Sequence, residues 1–526
     1  MDIAAAVTRK VIAAAAAFVI IPVMRLLDLL PDVPGATLVQ GDPTVDVRGV
    51  VHDSRRVQSG YVFVVMPGER HDARDYVPQA LERGAVGIVA DGPVDVPGDR
   101  ALLMVPAARP ALADLAAALQ GHPSRHLRLV GVTGTDGKTS TTRLLAAILE
   151  QAGQRIGWLT TVDVKSGGQI RANELHHTTP EADRVQEVLA DMVADHTETA
   201  ILEVSSHALV LDRVRGCEID LAIFTNLSPE HLNFHGTMEE YARAKARLFS
   251  MLGEPTGKSW PRLGIVNEDD PYSNIMRAAC PTPILTYGMV EPADVMARDV
   301  RLDVHGVTFT LVTPRGEALV ASRLLGRFNV ANWLAATTAA LELGASLDDV
   351  VQAAAQMQPV PGRMDRVDAG QPFLVVVDFA HTPQALDNAL RTLRPHTEGR
   401  LMAVFGHAGE RDPANRPTMG QAAAELSDFF VISMDDPLYE DPSEIAEQIA
   451  AGATGAGKSL GRDFLIELDR AAAIRKLVAR ARPGDTILLA GKGHERRMLV
   501  RDERHPWNDG EEAHRALAEA GYGASR

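Results

Sequence analysis

Short apolar runs alternate with amphipathic stretches toward the C-terminus of the 526-residue chain. Each run is short enough for a buried strand, and the intervening stretches have the length and periodicity of helices. The predicted strands are residues 373–379, 401–405, 429–434 and 485–489. Strands that alternate with helices form a parallel sheet, which binds ligands at the carboxyl ends of its strands. Those ends carry Asp378-Phe-Ala-His381, residues 406–416, Asp435-Asp-Pro437 and Gly491-Lys-Gly-His-Glu495. The pattern therefore predicts a Rossmann-like C-terminal domain.

The first part of the chain has shorter elements. Residues 60–67 are a β-rich run, residues 76–84 have the pattern of a helix, and residues 85–90 that of a strand. A helix over 108–120 leads into a central α/β region, which ends at the linker-like Pro359-Val-Pro-Gly362. Since 526 residues exceed one hydrophobic core, we expect an α/β protein of three domains. The predicted boundaries are an apolar N-terminal extension 1–23, a smaller α/β domain 24–107, a central domain 108–360 and the C-terminal domain 361–526.

A glycine-rich turn follows an apolar run at the start of the central region. Gly134 and Gly137 permit tight backbone turns whose N–H groups can face phosphate oxygens. Lys138 adds a positive charge, and the Thr139 hydroxyl can ligate Mg2+. The general phosphate-loop pattern has one more glycine where this chain has Val132, so the match is imperfect. The turn nevertheless predicts a central P-loop ATPase domain. The predicted nucleotide contacts are Gly134, Thr135, Asp136, Gly137, Lys138, Thr139 and Ser140.

Composition narrows the choice of partners and compartment. The formal net charge is -16, which disfavours a nucleic-acid partner held by general electrostatics. The two cysteines, Cys217 and Cys280, have neither metal-ligand spacing nor a disulfide framework. We therefore expect a cytoplasmic protein that binds no nucleic acid.

An apolar run over residues 11–24 follows Arg9 and Lys10 and resembles a signal-peptide core or a membrane anchor. The run is shorter than the roughly 20 residues that span a bilayer, and Pro22 interrupts it. The run ends at Arg25, and no convincing small-residue signal-peptidase cleavage site accompanies it. We favour a dispensable extension with Met24 as the true initiator. Membrane contact through residues 11–24 is the alternative, which is not favoured.

Polar residues at two strand ends are candidate metal ligands. Glu203 ends the apolar run Thr199-Ala-Ile-Leu-Glu203, from which it can reach a cation near the phosphate loop. Mg2+ prefers oxygen ligands, so Glu203 and Thr139 are the predicted contributors. Zinc is disfavoured, because the histidines at 207, 231 and 235 lack accompanying thiolates or a compact His-Glu motif. A strand-terminal surface acid and a structural histidine are the alternative interpretations.

Lys245 lies in an otherwise apolar helical stripe. Thr237 and Glu240 predict the start of that helix, and Tyr241, Leu248 and Phe249 share the face of Lys245. A buried ammonium is costly unless it is paired, neutralised or chemically modified. The alternative is a lysine at the rim whose stem alone is covered.

Together these motifs resemble the Mur ligases over nearly all of the chain from Met24 onward. The resemblance rests on their order and number rather than on any one of them. The motifs are Gly134-Thr-Asp-Gly-Lys-Thr139, Glu203-Val-Ser-Ser-His207, Thr225-Asn-Leu227 with His231, Gly326-Arg-Phe-Asn329 with Asn332, Gly362-Arg363, Asp378-Phe-Ala-His381 and Gly491-Lys-Gly-His-Glu495. Within the family, the chain is similar to the type that adds the third peptide residue to UDP-N-acetylmuramoyl-L-alanyl-D-glutamate (UDP-MurNAc-dipeptide).

The resemblance implies a mechanism and a role for each candidate residue. ATP phosphorylates the D-glutamate γ-carboxylate, and the incoming amine attacks the acyl phosphate, so positioning and charge neutralisation dominate. The implied catalytic and metal-binding residues are Lys138 on the phosphates, Thr139 and Glu203 on one Mg2+, and His231 with carbamylated Lys245 on a second. Asn329, Asn332, Arg363 and Asp378 are implied to hold adenine and ribose. Thr178, Thr179, Ser205 and Arg213 are implied to hold the muramoyl peptide, and Ser54 the UDP end.

The amino acid to be added follows from a departure from the family pattern. Members that add meso-diaminopimelate carry Asp-Asn-Pro-Arg, whose arginine pairs with the distal carboxylate. Here the same place contains Asp435, Asp436, Pro437 and Leu438. Leu438 cannot bind a carboxylate, whereas Asp436 and Glu495 could bind a distal ammonium, near Gly491. We therefore expect a free diamino acid without a second carboxylate, L-lysine or L-ornithine.

The remaining expectations concern two further contacts, the oligomeric state and the competing functions. Arg411 is available for the substrate's α-carboxylate, and Glu69-Arg70-His71 departs from the family near the expected uridine pocket. We expect a monomer. The competing interpretations are a folylpolyglutamate synthase-like amide ligase and a non-catalytic Mur-like binding subunit, of which intact Lys138, Glu203 and Lys245 disfavour the latter.

Overall fold

The structure is a computed structural model that describes residues 23–66, 72–173, 178–303 and 306–523. The chain forms two compact units. The first comprises the described part of residues 1–127 together with 180–197 and 211–217, and the second comprises 128–179, 198–210 and the chain from 218 onward. Residues 1–22 of the expected extension and Glu69-Arg70-His71 lie outside the described residues. Within the described ranges, no helix is long and apolar enough to cross a membrane.

The first unit contains a five-stranded sheet. In spatial order its strands are Thr37–Gln40, Ala101–Met104, Gly87–Ala90, Tyr61–Val64 and Gly49–Val51, and only the first of these pairs is antiparallel. Met24–Arg25 and Asp46–Val47 form a separate antiparallel pair. The α-helices are Leu26–Leu29, Val77–Glu82, Ala108–Leu119 and Ala182–Ala194, and the 3-10 helices are Leu30–Asp32, Ser54–Arg56, Ala73–Tyr76 and Pro123–His126. The predicted helix 108–120 is thus confirmed to within one residue.

The second unit contains an 11-stranded sheet whose centre is parallel. In spatial order the strands are Gln169–Ala172, Asp163–Ser166, Ile156–Leu159, Thr199–Glu203, Arg128–Thr133, Leu221–Phe224, Leu263–Asn267, Ile284–Gly288, Val295–Asp303, Gly306–Thr313 and Gly316–Ser322. The two outermost strands on each side join in antiparallel register. The α-helices are Lys138–Gln151, Ser206–Val210, Leu232–His235, Met238–Ser250, Ser273–Ala279, Arg327–Glu342 and Leu347–Gln356, with a 3-10 turn at Met251–Gly253.

The strand Arg128–Thr133 lies between Thr199–Glu203 and Leu221–Phe224, in parallel with both. All three are almost wholly buried, as expected for short apolar runs in a parallel sheet. The helices Lys138–Gln151 and Arg327–Glu342 contribute to the same apolar core as these strands. Parallel pairing therefore brings the phosphate loop, Glu203 and Thr225 to one edge of the sheet.

The same unit contains a six-stranded sheet with the order Asp365–Arg366, Leu374–Asp378, Thr486–Ala490, Leu401–Phe405, Phe429–Ile432 and Phe464–Ile466. Every pair except the first is parallel. Its α-helices are Pro383–Leu393, Asn415–Leu426, Pro442–Gly455, Arg470–Arg480 and Asp509–Glu519, with a 3-10 turn at Arg394–His396 and a hairpin of Arg497–Val500 and Glu503–Pro506. The predicted Rossmann-like sheet and the α/β class are confirmed.

Candidate active site

The phosphate loop links the strand Arg128–Thr133 to the helix Lys138–Gln151. Gly134 has φ +149°, and a Cβ there would lie 1.8 Å from the Thr225 hydroxyl oxygen. Gly137 has φ +82°, and a Cβ there would lie 2.5 Å from Oδ1 of Asn332. Both positions therefore need glycine for space and for backbone conformation.

Thr225 and Asn226, at the end of the neighbouring strand, fix the loop backbone. Asn226 accepts hydrogen bonds from the N–H of Thr135 at its carbonyl (2.9 Å) and from the N–H of Asp136 at Oδ1 (3.0 Å). The Thr225 hydroxyl and Asn226 Nδ2 donate to the Asp136 carbonyl at 2.6 and 3.1 Å. The loop is therefore held in one conformation by side chains from a different strand. The sequence motif Thr225-Asn-Leu227 contained these residues without revealing this function.

Lys138 folds back over its own loop. Its Nζ donates to the carbonyls of Gly134 (3.0 Å) and Thr135 (2.7 Å). The ammonium therefore lies at the edge of the sheet where the strand of Glu203 ends. Its positive charge lowers the pKa of the Glu203 carboxyl, whereas burial raises it.

Glu203 is fully buried beside Thr139. Its two carboxylate oxygens accept from the N–H (3.1 Å) and hydroxyl (2.9 Å) of Thr161. Burial raises the pKa of Glu203, while Lys138 and the Thr139 hydroxyl oppose that rise. Nη2 of Arg363 donates to the Thr139 hydroxyl at 3.4 Å. A buried carboxylate and a hydroxyl within reach of a cation are oxygen donors of the kind that Mg2+ binds.

Lys245 is only 2% exposed, so the alternative interpretation of a lysine at the rim with only its stem covered is wrong. Thr237 caps its helix by accepting the N–H of Glu240 at 3.2 Å. Nζ of Lys245 donates to the Gly134 carbonyl at 2.8 Å and lies 4.4 Å from the centre of the Tyr241 ring. Burial, and then the charge of Lys138, hold the pKa of Lys245 well below its ordinary value. The lowered pKa favours the neutral amine over the ammonium at this position against the phosphate loop.

His231 lies in a cluster with Glu230, His381 and Arg411. It has φ +56° and is the N-cap residue of the helix Leu232–His235. Oε1 of Glu230 lies 3.4 Å from Nε2 of His231, 3.2 Å from Nε2 of His381 and 3.8 Å from Nη1 of Arg411. Burial lowers the pKa of His231 to about 3, so this imidazole is neutral near pH 7 and can act as a metal ligand. Sequence reasoning missed Glu230, although it directly precedes His231.

A cavity of about 340 Å3 lies beside the loop. Its lining includes Asp136 and Gly137 of the loop, Ser140 of the helix that follows, and Asn329, Asn332, Arg363 and Asp378 of later segments. The structure therefore brings seven of the predicted nucleotide contacts around one space, which Tyr287, Phe328 and Phe379 also line.

Hydrogen bonds order the polar groups of this cavity. Asn329 donates to the Leu325 carbonyl (2.8 Å) and accepts from Asn332 (3.0 Å). The Asp378 carboxylate accepts the N–H of Met364 (2.6 Å), and burial raises its pKa to about 6. The Arg363 guanidinium stacks 4.6 Å from the Phe379 ring, and its buried Nε has no hydrogen-bond partner among the described residues. A polar, partly unsatisfied lining with aromatic walls suits a nucleoside.

The predicted muramoyl-peptide contacts are divided between the two units. In the second unit, the Thr178 hydroxyl lies 3.1 Å from the Thr161 hydroxyl, and Thr179 donates to the Glu203 carbonyl (2.8 Å) and accepts the Ser205 N–H (3.0 Å). These residues therefore surround the end of the Glu203 strand.

In the first unit, Ser54 donates to Gln79 at 2.6 Å. Arg213 contacts the Glu181 carboxylate through Nε at 2.9 Å and Nη2 at 2.8 Å, and Arg109 contacts the same carboxylate at 3.2 Å. The two arginines therefore surround one carboxylate.

The predicted amino-acid contacts lie at the carboxyl ends of the six-stranded sheet. Asp435, Asp436 and Glu495 lie together, but Lys492 lies among them, with Nζ 2.6 Å from Oδ1 of Asp436 and 2.5 Å from Oε2 of Glu495. A Cβ at Gly491 would lie 2.5 Å from Oδ2 of Asp435. The acidic pair is therefore already matched by an internal ammonium, which sequence reasoning did not consider.

Leu438 has φ +53°, an uncommon conformation for a branched residue. Its backbone is held by the Arg501 N–H, which donates to the Leu438 carbonyl at 2.7 Å. Both residues line a second cavity of about 740 Å3 that also presents Glu440, Asp441 and Asp502.

The fold and the site are those of a P-loop enzyme that contains a central α/β sheet and a Rossmann-like sheet. Comparison with known families then gives the particular assignment. The Mur ligase middle domain matches residues 132–340, and the Mur ligase glutamate ligase domain matches residues 362–493. The chain belongs to the Mur ligases and is an ATP-dependent amide ligase.

Individual relatives agree with this assignment. The chain is 47% identical to a UDP-N-acetylmuramyl-tripeptide synthetase of Roseiflexus sp. (strain RS-1), covering 91% of this chain and 96% of that protein. It is 41% identical to a UDP-N-acetylmuramoyl-L-alanyl-D-glutamate–2,6-diaminopimelate ligase of Geobacillus kaustophilus (strain HTA426), covering 95% and 100%. A solved structure of a ligase with that same name is 32% identical, with a TM-score of 0.65 and coverage of 95% and 100%.

Proposed function

We propose that this chain joins a diamino acid to the D-glutamate γ-carboxylate of UDP-MurNAc-dipeptide, with ATP as the phosphoryl donor and an acyl phosphate as the intermediate. The observation that carries the proposal is the cavity that brings Asp136 and Gly137 of the phosphate loop together with Asn329, Arg363 and Asp378. The names of the relatives favour the muramoyl substrate over a folylpolyglutamate synthase-like reaction.

Two metal sites are part of the proposal, because the donor set fits Mg2+. Thr139 and Glu203 would hold one ion, and His231 with modified Lys245 would hold the other. Bound Mg2+ neutralises phosphate charge and polarises the transferring phosphoryl group. A metal ligand must be deprotonated, and the lowered pKa of His231 meets that condition.

Lys245 would serve as a carbamate. Its neutral Nζ attacks CO2, forms the N–C bond and releases one proton, so that an amine becomes an anion. The lowered pKa of Lys245 favours the nucleophilic amine, and the nearby ammonium of Lys138 stabilises the anionic product. This modification resolves the cost of a buried lysine.

The remaining steps require positioning by the chain's own residues. When ATP binds, the ammonium of Lys138 exchanges its hydrogen bonds to the carbonyls of Gly134 and Thr135 for contacts with the phosphate oxygens. Asp378 accepts from the ribose hydroxyls when it is ionised, and Arg363 covers the nucleoside together with Phe379. Arg411, whose side chain is 45% exposed, binds the α-carboxylate of the incoming amino acid. Holding the amine near the acyl phosphate supplies most of the rate enhancement.

For the amino acid, we propose L-lysine or L-ornithine. Leu438 offers no charge to a distal carboxylate, and the neighbouring cavity presents Glu440, Asp441, Asp502 and Glu503. The negative charge of these carboxylates disfavours a second carboxylate on the incoming amino acid. The two amino acids differ by one methylene, which is worth only about 1 kcal/mol.

Meso-diaminopimelate is the second candidate, because relatives at 37–41% identity are named for it. Arg501 is the cation that lines the cavity beside Leu438, and it could take over the pairing with a distal carboxylate. The two candidates therefore differ in their dependence on Arg501.

Roles taken from the resemblance complete the proposal. Ser54 and Arg213 would contact the UDP-muramoyl peptide, as would Thr178, Thr179 and Ser205. We also propose a cytoplasmic monomer, since ATP is cytoplasmic, and domain boundaries at 107/108 and 360/361.

The test is ADP release by the wild-type chain and an Arg501→Met variant, with UDP-MurNAc-dipeptide and each amino acid in turn. We expect release with L-lysine or L-ornithine, at a rate within about threefold in Arg501→Met, because a rim charge contributes little. Strong preference for meso-diaminopimelate, lost in Arg501→Met, would establish the second candidate instead. Release that does not depend on the muramoyl dipeptide would contradict the proposed function.

A further inference from the structure

A buried lysine holds together the acidic residues at the end of the six-stranded sheet. The side chain of Lys492 is 0% exposed, and its Nζ lies 2.6 Å from Asp436, 2.5 Å from Glu495 and 3.8 Å from Asp435. A buried ammonium is tolerated only where carboxylates match it, so these contacts define its position.

The three carboxylates differ in how far the protein has already satisfied them. Oδ1 of Asp436 accepts from both Lys492 and the N–H of Leu499 (2.9 Å), and Oδ1 of Asp435 accepts the N–H of Asp436 (2.8 Å). Their side chains are 15% and 6% exposed, whereas Glu495 is 33% exposed. Glu495 is therefore the carboxylate of the three that is open to a ligand.

The backbone around Lys492 is shaped for this arrangement. Gly491 and Gly493 flank the lysine with φ +114° and +50°, and a Cβ at Gly493 would lie 2.7 Å from Cβ of Phe379. The other cation nearby, Arg470, is fully buried and matched by Asp509 at 2.7 and 2.8 Å. Arg470 therefore cannot replace Lys492 as the partner of Asp436 and Glu495.

We propose that Lys492 is a specificity-determining positioning residue. Its ammonium pairs with Asp436, so that Asp436 does not bind the substrate, and it positions Glu495 as the carboxylate that receives the distal amino group of the diamino acid. The inference rests on the proposed function and refines it. Asp436 acts through Lys492 rather than on the substrate, contrary to the sequence-based expectation that Asp436 and Glu495 act as a free pair.

The charges around Glu495 provide a second readout. Burial and the charges of Asp436 and Asp435 raise the pKa of Glu495 to about 7, and Lys492 opposes that rise. Removing the lysine therefore moves the pKa of Glu495 upward. Since only ionised Glu495 pairs with an ammonium, amino-acid binding would then need a higher pH.

The experiment uses the full-length chain and four variants: Lys492→Met, Asp436→Asn, the double variant, and Lys476→Met as a control. Lys476 lies on the helix Arg470–Arg480, where its side chain is 43% exposed and pairs with Glu467. ADP release gives KM for the amino acid and for ATP, from pH 6 to 9, and thermal melting checks folding.

We expect Lys492→Met to raise the KM for the amino acid about 100-fold, as small displacements of a positioning group do, with the KM for ATP within about threefold. The acidic limb of kcat/KM for the amino acid should move up by about one pH unit or more. The double variant should be no worse than Lys492→Met, because Asp436 acts through the lysine. Lys476→Met should match the wild type.

Two results would overturn the inference: an amino-acid KM in Lys492→Met within threefold of wild type, or additive effects in the double variant, which would mean that Asp436 binds substrate directly. If Lys492→Met does not fold, the double variant, in which Asp436 no longer carries an unmatched charge, carries the same KM expectation. Its pH shift should be smaller, because loss of the Asp436 charge lowers the pKa of Glu495 while loss of Lys492 raises it. Failure of the double variant to fold would show a purely structural role. Wild-type inactivity with every amino acid would contradict the proposed function as well, whereas an active wild type with an unchanged variant would contradict this inference alone.

Discussion

At the scale of single residues, a lowered pKa favours the amine form that can react with CO2, and the pKa of Lys245 is lowered in this way. Burial and the charge of Lys138 lower its pKa, and its Nζ is aimed at the Gly134 carbonyl of the phosphate loop. The same burial would make an unmodified ammonium costly. The proposed carbamylation would remove that cost and would supply an anionic ligand to the proposed metal site.

We predict that Lys245→Ala lowers kcat by about 100-fold or more, because an anionic ligand beside the phosphates is lost. Steady-state ADP release with saturating substrates measures the effect. Arg243→Ala, on the exposed side of the same helix, is the matched control and should retain wild-type kcat. Full ligation activity in Lys245→Ala would rule out the carbamate.

Asp378 provides a pH-dependent prediction at the same scale. Its pKa is raised to about 6, and only the ionised carboxylate can accept from both ribose hydroxyls. The KM for ATP should therefore rise as the pH falls through about 6 and stay level above pH 7. Asp378→Asn, which does not titrate, should have a higher KM that does not change over this range. A wild-type KM for ATP that is the same at pH 5.5 and pH 7.5 would contradict the role of Asp378.

At the scale of elements, the phosphate loop is held more tightly than its sequence alone indicates. The loop carbonyls and N–H groups are bonded to Thr225 and Asn226, which end the neighbouring strand. Gly134 leaves no room for a side chain against the Thr225 hydroxyl. A preformed loop needs no reorganisation when phosphates bind.

We predict that Gly134→Ala destabilises the chain by about 2 kcal/mol, from overpacking and backbone strain, and weakens ATP binding. Thermal melting and equilibrium nucleotide binding measure the two effects. Gly153→Ala, at the end of the same helix, is the control: its φ is +82° but its Cβ would meet open space. Equal behaviour of the two variants would mean that contact with Thr225 is unimportant.

The hydrophobic pattern predicted many elements but not all of the site. The four C-terminal strands lie within one or two residues of their predicted bounds, because each is a buried apolar run. The strand Phe464–Ile466 was missed, since three residues with two half-buried positions give no pattern. Glu230 and Lys492 were missed because their importance depends on distant partners, such as His381, which lies 151 residues beyond Glu230.

At the scale of the whole molecule, parallel sheets collect motifs that are far apart in the chain. The central sheet brings the loop, Glu203 and Asn226 to one edge, and within the same compact unit Arg363 and Asp378 complete the nucleotide cavity. The six-stranded sheet carries the amino-acid contacts at its strand ends. Both sheets therefore contribute to the nucleotide cavity, and we expect the six-stranded sheet to select the amino acid.

The most direct measurement of the central claim is a competition experiment. The wild-type chain is incubated with ATP, Mg2+, UDP-MurNAc-dipeptide and equimolar L-lysine, L-ornithine and meso-diaminopimelate, and the UDP-muramoyl tripeptides are identified by mass. The ratio of products gives the ratio of kcat/KM values directly. We predict that the lysine or ornithine product exceeds the diaminopimelate product at least tenfold. A predominant diaminopimelate product, or no tripeptide, would contradict the account.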